Sequence, residues 1–375
     1  MKIFILFFSF FIIPFFNLQN VKKENNKNII HFIKCGYDSI LIESNGKFGL
    51  IDASNNYKYI KNEVEKLQIN MFEGEQNNWS EKPEESVQAV LDYLDSLQVK
   101  KLDFIVATHS HNDHIGGIPA IAYKYVDNST IYYYRTYTQN LEDIIRVFWS
   151  NKKYYLAAVN SMAKKNAKLV EVSNKKIKFD FGDMNIELLN TEIAENNSWI
   201  RENKNSIGTL IKFKNTKIFL AADIVKKDDK KIKDYLGKID ILKLSHHGFS
   251  ETSLEFLKAT RPDHIIITSS KLYNHAINLI KHIKIRYNSK IYITQFIKDK
   301  SIRVNLDLNG YQIEDQKNAE FILHQILKFN IFDLVIIFIF AVLLLYNIAS
   351  RKMEINKKYS PNKTNNNKND IFRIS

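Results

Sequence analysis

The sequence predicts an α/β domain whose core is two β-sheets with helices on the outside. Three observations lead there. Apolar runs of strand length, bounded by Gly, Asn and Asp, recur along the chain. Several are separated by stretches with apolar residues at helical spacing. The 375 residues are 45% hydrophobic, enough to fill a core, and no 20–50-residue repeat suggests a solenoid.

The elements follow in order. Residues 29–34, 39–44 and 47–52 are three apolar-rich segments separated by short turns, and they read as a meander at a sheet edge. Residues 83–99 carry Val87, Val90, Leu91, Leu94 and Leu97 at helical spacing, behind Pro83 and acidic residues that suit a first turn. A buried strand, KLDFIVAT, follows and runs into the segment THSHNDHIGG. A helix restarts at residue 118. Strands are expected at 168–172, 176–181, 184–190, 207–213 and 217–222. Beyond them helices at 226–236, 252–259 and 274–286 alternate with strands at 239–244, 263–268 and 291–295.

The two ends differ from this domain. Ile3 to Phe16 is an apolar run after a single Lys, interrupted only by Ser9 and Pro14. It has the proportions of a signal peptide, and residues 1–20 are expected to be that or an N-terminal anchor. Residues 331–350 are expected to form a transmembrane helix, with Asp333 and Asn347 near its ends. Arg351 and Lys352 follow directly, so the positive-inside tendency assigns the basic, disordered tail 351–375 to the cytoplasm. The domain between, residues 28–315, is then extracellular, on a cell membrane that it crosses once.

The net charge of +13 is concentrated at the ends. Residues 351–375 hold seven Lys or Arg against two acids. The excess left for the middle is mild for a nucleic-acid footprint, so nucleic acid is a possible but not the preferred partner. Cys35 is the only cysteine, so no intrachain disulfide forms, and it reads as a small buried apolar residue.

Three of the ten histidines fall in THSHNDHIGG, around one aspartate. Side chains at i and i+2 of an extended segment point the same way, so His109 and His111 can hold one metal. The chain must then turn, which lets Asp113 and His114 face a second. Gly116 and Gly117 permit that turn and a helix start close to the ions. Imidazole and carboxylate donors at this density suit Zn²⁺ or a similar metal.

This His-x-His-x-Asp-His pattern resembles the signature of the metallo-β-lactamase superfamily. The likeness extends over about residues 29–313. FIKCGYDSILIESNGKFGLIDAS is similar to the first hairpin of ComEC-like members, NSIGTLIKFKNTKIFLAADI to the strand pair ending in the bridging acid, and DILKLSHHGFSETSLEFL to the strand ending in the last metal histidine. The resemblance implies an αββα four-layer sandwich. It implies Asp52 as an acid supporting the histidine loop, Asp223 as the bridge between two zinc ions, and His247 as the last ligand. His246 is then a supporting or substrate-facing group. His275 either lines the pocket or is a surface residue at a helix start. No histidine lies between His114 and His246, where many members have a further ligand. Site one therefore has His109, His111 and Asp223, with water or an oxygen such as that of Asn205. Within the superfamily the chain also resembles the phosphorylcholine esterase catalytic domain of choline-binding protein E, through ESNGKFGLID, VKKLDFIVATHSHNDHIGG, FDFGDMNIELLN and IDILKLSHHG.

The chemistry expected is hydrolysis by a metal-bound hydroxide, oriented by Asp113 as the catalytic residue, with no protein nucleophile. Substrate choice would fall to roughly residues 131–205. Tyr132, Tyr133 and Tyr134 either continue a strand into the core or cover a cationic headgroup, and Arg135 is a candidate phosphate contact. Three readings stand. The first is a membrane-tethered phosphodiesterase acting on phosphorylcholine-type or other envelope phosphodiesters, or on a small molecule. The second is a ComEC-like surface nuclease, which would show a Lys/Arg stripe leading to the metals. The third is a catalytically silent binding protein on the same scaffold.

Overall fold

A computed structural model describes residues 27–55, 85–135, 151–192, 199–249, 252–270, 279–280, 282–283, 286–314, 335–336 and 338–351. The chain divides into two compact units, Met1–Ala319 and Glu320–Ser375.

The first unit holds two sheets. The larger contains β1 (Asn28–Ile33), β2 (Ile40–Ser44), β3 (Lys47–Ile51), β4 (Phe104–Val106), β5 (Ile131–Tyr134), β6 (Lys168–Glu171), β14 (Ser301–Asp307) and β15 (Gly310–Ile313). Their order is β15-β14-β1-β2-β3-β4-β5-β6. The smaller contains β7 (Ile177–Phe181), β8 (Met184–Leu189), β9 (Gly208–Phe213), β10 (Thr216–Leu220), β11 (Ile241–Lys243), β12 (His264–Ile267) and β13 (Lys290–Ile293). Its order is β13-β12-β11-β10-β9-β8-β7. The sequence-predicted meander is present as antiparallel β1–β3, but not at an edge. β14, arriving from the far end of the chain, pairs antiparallel with β1 and moves it inside. That pairing joins segments about 270 residues apart, which local patterning does not record.

Each sheet changes character along its width. β3 to β6 run parallel, as do β10 to β13. Parallel neighbours need crossover connections, and helices supply them. On the larger sheet these are α1 (Glu85–Ser96), α2 (Asn112–Ile115), α3 (Ile118–Tyr125) and α4 (Asn151–Lys164). On the smaller they are α5 (Lys226–Leu236) and α6 (Leu254–Thr260).

Strand alternation separates two apolar layers. Ile30, Ile42, Phe104 and Val106 pack between the sheets with Ile186, Ile211, Ile218 and Ile241. Their alternates Leu41, Leu50, Ile105 and Tyr132 pack against Val90 and Leu94 of α1, Ile121 of α3 and Met162 of α4. On the smaller sheet Phe219 faces away from the inter-sheet layer, and its ring meets Phe256 of α6, with centroids 6.0 Å apart. The layers are thus helix, sheet, sheet, helix, the αββα order that the resemblance implied. Tyr132 and Tyr133 are buried on opposite faces of β5, Tyr133 stacking on Phe179, so these tyrosines continue a strand into the core.

In the second unit, residues 335–336 and 338–351 are helical, with large apolar side chains such as Phe338, Phe340 and Tyr346 exposed. The predicted span 331–350 begins outside the described residues. Among the described residues no helix is long and apolar enough to cross a membrane. The expected leader, residues 1–20, and His275 also lie outside the described residues.

Candidate metal centre

Open α/β sheets gather loops at the carboxyl ends of their parallel strands, and ligand sites form there. Here both sheets present such ends together. On the larger sheet, Asp52 follows β3 and the histidine loop follows β4. On the smaller, Asp223 follows β10, His247 follows β11 and Thr268 follows β12.

The histidine loop begins extended. His111 has φ −70° and ψ 145° and stands at the N-terminal end of α2. His109 Nε2 and His111 Nδ1 lie 3.0 Å apart, as their i, i+2 spacing requires. The helix then swings Asp113 and His114 to the other side. Gly116 (φ −57°) and Gly117 (φ −81°) are both right-handed helical, so the turn does not need glycine freedom. Gly117 is required for a different reason. A Cβ there would stand 2.0 Å from the carbonyl oxygen of Ala53. The helix start is pressed against the loop after β3, where Gly117 donates to the Ser54 carbonyl and Ala53 to that of His114.

Asp52 fastens this loop from behind. Its carboxylate accepts from the Thr108 backbone N–H at 2.9 Å and the Thr108 hydroxyl at 2.8 Å. It also meets His114 Nδ1 at 2.7 Å. That leaves His114 Nε2 to face forward.

The smaller sheet contributes the opposite wall through left-handed backbone. Ala222 (φ 46°), His246 (φ 50°) and His247 (φ 53°) all adopt it, as does Asp52 (φ 57°) across the site. Non-glycine residues in this region carry strain, and such residues cluster at functional sites. The two carboxylate oxygens of Asp223 point to different neighbours. Oδ1 lies 3.2 Å from His114 Nε2, while Oδ2 lies 3.8 Å from His109 Nε2 and 3.6 Å from His246 Nε2. His247 Nδ1 faces the Thr268 carbonyl at 2.9 Å, which turns Nε2 to Asp113 at 3.3 Å.

Among the described residues three groups of side chains can hold a metal ion: His109, His111 and Asp223; Asp113, His114 and His247; and Asp38, His114 and Asp223. The donor atoms fit this role. His114 Nε2, His247 Nε2 and both Asp223 oxygens are buried without hydrogen-bond partners. Buried polar atoms are seldom left so, and cations bound in these groups would satisfy them.

Electrostatics differ across the site. Burial and the neighbouring His114 and His111 hold His109 well below the usual histidine range. Burial pulls His114 down as well, but Asp223 and Asp52 outweigh it and hold it well above that range. His247 is likewise opposed by burial, yet Asp38, Asp223 and Asp113 raise it to about 10. For Asp113, burial is outweighed by the His247 hydrogen bond and the His114 charge, which bring it down to about 2.

The remaining expectations divide. His246 stands at the mouth with its side chain 26% exposed, between Asp223 and Phe249. Asn205 is buried, and its amide nitrogen donates to Glu202 at 3.4 Å. Arg135 is not a phosphate contact. It is 2% exposed, and its guanidinium donates to the backbone carbonyls of Glu192 and Asn190. Burial lowers it to about 10. The sequence reading missed four residues. Asp38 and Lys243 pair under the site, Thr268 bonds Asp38, and Glu202 faces the Ser110 N–H and hydroxyl. Lys243 left a signal, a charged residue inside an otherwise apolar strand. Asp38 looked like any turn aspartate.

A family model described as anti-Pycsar protein Apyc1 matches residues 85–251. That stretch runs from α1 through the histidine loop and Asp223 to just past His247. No curated protein matches the chain. Among solved structures, the metallo-β-lactamase fold protein YhfI from Bacillus subtilis is similar at 11% identity and TM-score 0.44, covering 75% of this chain and 99% of that one. Igni18, a metallo hydrolase from Ignicoccus hospitalis, is similar at 14% identity and TM-score 0.43, covering 75% and 100%. CmlA, a diiron β-hydroxylase from Streptomyces venezuelae, is similar at 13% identity and TM-score 0.42, covering 76% and 54%.

Proposed function

We propose that the protein is a metal-dependent hydrolase with a binuclear zinc centre, acting on phosphodiesters. One observation carries this reading: Asp223 turns one carboxylate oxygen toward His114 and the other toward His109. A carboxylate so divided is built to bridge two cations. His109 and His111 would hold one ion and Asp113, His114 and His247 the other. When bound, such ions supply an acidified water and neutralise charge on a phosphoryl oxygen. The chain's own residues do the rest. Asp113, its side chain 20% exposed, is the carboxylate that reaches the opening and can orient a water there. His246 stands beside Asp223 with its ring partly in solvent, where it can meet an anionic substrate oxygen. Tyr37 and Phe249 flank the two histidines of the smaller sheet and give the rim an apolar lining.

The nuclease reading gains little from the lysine-rich helix next to Asp223. On α5, three of the five lysines are paired: Lys230 with Glu255 at 2.7 Å, Lys231 with Asp228 at 2.9 Å and Lys233 with Asp234 at 2.8 Å. That leaves Lys226 and Lys227, too few for a track along a polyanion. An envelope phosphodiester of the phosphorylcholine type is the substrate we infer. We also infer tethering through residues 331–350, supported by the apolar exposed helix and the Arg351–Lys352 pair after it.

The test uses the full chain in detergent. Metal content, including iron, is measured beside hydrolysis of bis-p-nitrophenyl phosphate and p-nitrophenyl phosphorylcholine. About two zinc ions per chain, with metal-dependent cleavage abolished in Asp223→Ala, is the expected outcome. Full metal with no turnover of either ester sinks the phosphodiesterase reading and favours a silent scaffold. Release of the chain from membranes by alkaline carbonate sinks the tether.

A further inference from the structure

We propose that Asp38 is a positioning residue for His247, and that the buried Lys243 is the fixed cation that keeps Asp38 in that role; the inference deepens the metallohydrolase reading and rests on it. Asp38 lies in the turn before β2, on the larger sheet. Lys243 ends β11, on the smaller sheet, and shares the inter-sheet side with Ile241 two residues earlier. Its side chain is 0% exposed. Its ammonium bonds Asp38 Oδ2 and donates to the Ala222 carbonyl at 3.0 Å. The Thr268 hydroxyl donates to Asp38 Oδ1. That same oxygen stands 3.3 Å from His247 Nδ1.

A metal-ligating histidine gains basicity and a fixed ring orientation from a carboxylate at its second nitrogen. Asp52 does this for His114 from within one sheet. For His247 the closer partner of Nδ1 is the Thr268 carbonyl at 2.9 Å, and Asp38, from the opposite sheet, faces the same nitrogen at 3.3 Å, so its charge acts on that ring and the contact joins the two walls. Asp38 is itself in one of the three groups able to hold a metal, with His114 and Asp223. Two bonds keep it out of that use. Lys243 occupies Oδ2, and the Thr268 hydroxyl occupies Oδ1. The ammonium thus takes the place that a third cation would fill. Lys243 also reaches the other metal-bearing loop, because the Ala222 carbonyl it bonds immediately precedes Asp223 and accepts the His246 N–H at 2.9 Å.

Removing one partner of a buried ion pair leaves an uncompensated charge, whereas neutralising both is tolerated far better. The test is therefore the double variant Asp38→Asn/Lys243→Met. The metal-free full chain is titrated with zinc against a chromogenic chelator, reading equivalents bound and affinity, with the far-UV spectrum as the control for folding. The double variant is expected to keep the wild-type spectrum while binding one of two zinc ions at least about ten-fold more weakly. His247→Ala is expected to weaken the same ion, and the triple variant no further. Wild-type affinity in the double variant, or a loss that adds to that of His247→Ala, overturns the role. If the double variant does not fold, Thr268→Val removes one donor from Asp38 and leaves the ion pair in place. A loss of about three-fold or more for the same ion then supports the role, and unchanged binding overturns it. A wild-type chain that takes up no zinc overturns the reading beneath this inference along with it. That result is distinguishable, since the wild type is titrated first.

Discussion

The two walls of the site are built in different ways. The wall on the larger sheet is local. His109, His111, Asp113 and His114 lie within six residues, and a strand followed by a helix start aims them. Asp52 holds the whole loop through Thr108 and His114. The wall on the smaller sheet is assembled from distant pieces. Asp223 and His247 follow different strands, each reached through left-handed backbone. Their loops are tied together further out, where Asp229 of α5 accepts the N–H and hydroxyl of Ser253, the residue that caps α6. A short motif can therefore supply one wall of the candidate site, but the other wall depends on tethers between loops.

The comparison can be broken most severely at Asp223, which turns one oxygen to His114 and the other to His109. Asp223→Ala should reduce phosphodiester turnover by at least about 10³-fold, more than the loss of one stabilising donor costs, and metal analysis should find at most one ion left. Retention of two ions would mean that the walls do not share a bridge. Next comes the support of the local wall. Asp52→Ala frees Thr108 and the His114 ring, and zinc affinity should fall about 10- to 100-fold in a chelator competition. An unchanged affinity would show that the loop holds its shape without Asp52.

Gly117→Ala tests the same wall through packing. Its Cβ meets the Ala53 carbonyl, which is backbone and cannot swing aside. We expect a loss of about 1–3 kcal/mol in thermal unfolding, and stability equal to wild type would refute the close approach. The smallest effect sharpens the picture of the tethered wall. Burial raises the Asp229 carboxyl from its ordinary value to about 6, against the two bonds from Ser253. An acid whose pKa is raised by folding stabilises fully below its unfolded value of 3.8, and that contribution is lost as pH rises through about 6. Between pH 4 and 6, therefore, the melting temperature of metal-free wild type should fall more steeply than that of Asp229→Asn. Parallel curves would remove Asp229 from the account.

Most of the strands and helices were legible because each buries one face, and the period of that burial is written in the residues themselves. The Lys226–Leu236 helix and the histidine loop appear where the pattern put them, and most strands do so with ends displaced by one to three residues. The edge position of the first meander was not legible, because β14 returns from the far end of the chain to cover it. Arg135 misled for a related reason. A charge next to a strand looks available until the fold supplies carbonyls that consume it. Gly117 was singled out correctly but for a conformational reason, when the actual constraint is a neighbouring carbonyl.

The residues by themselves determined a two-sheet α/β core with helices outside and the four ligand-capable residues of the histidine loop, because period, spacing and residue chemistry are local properties. The αββα order and the strand ends carrying Asp223 and His247 came from the family resemblance. Only the tertiary structure decided that Asp223 divides its oxygens between two clusters, that His246 stands at the mouth while His247 faces inward, and that Asp38 and Lys243 lie beneath them as a buried pair. Those facts depend on how two sheets meet, and a buried charge shows its purpose only when the partner from the other sheet is beside it.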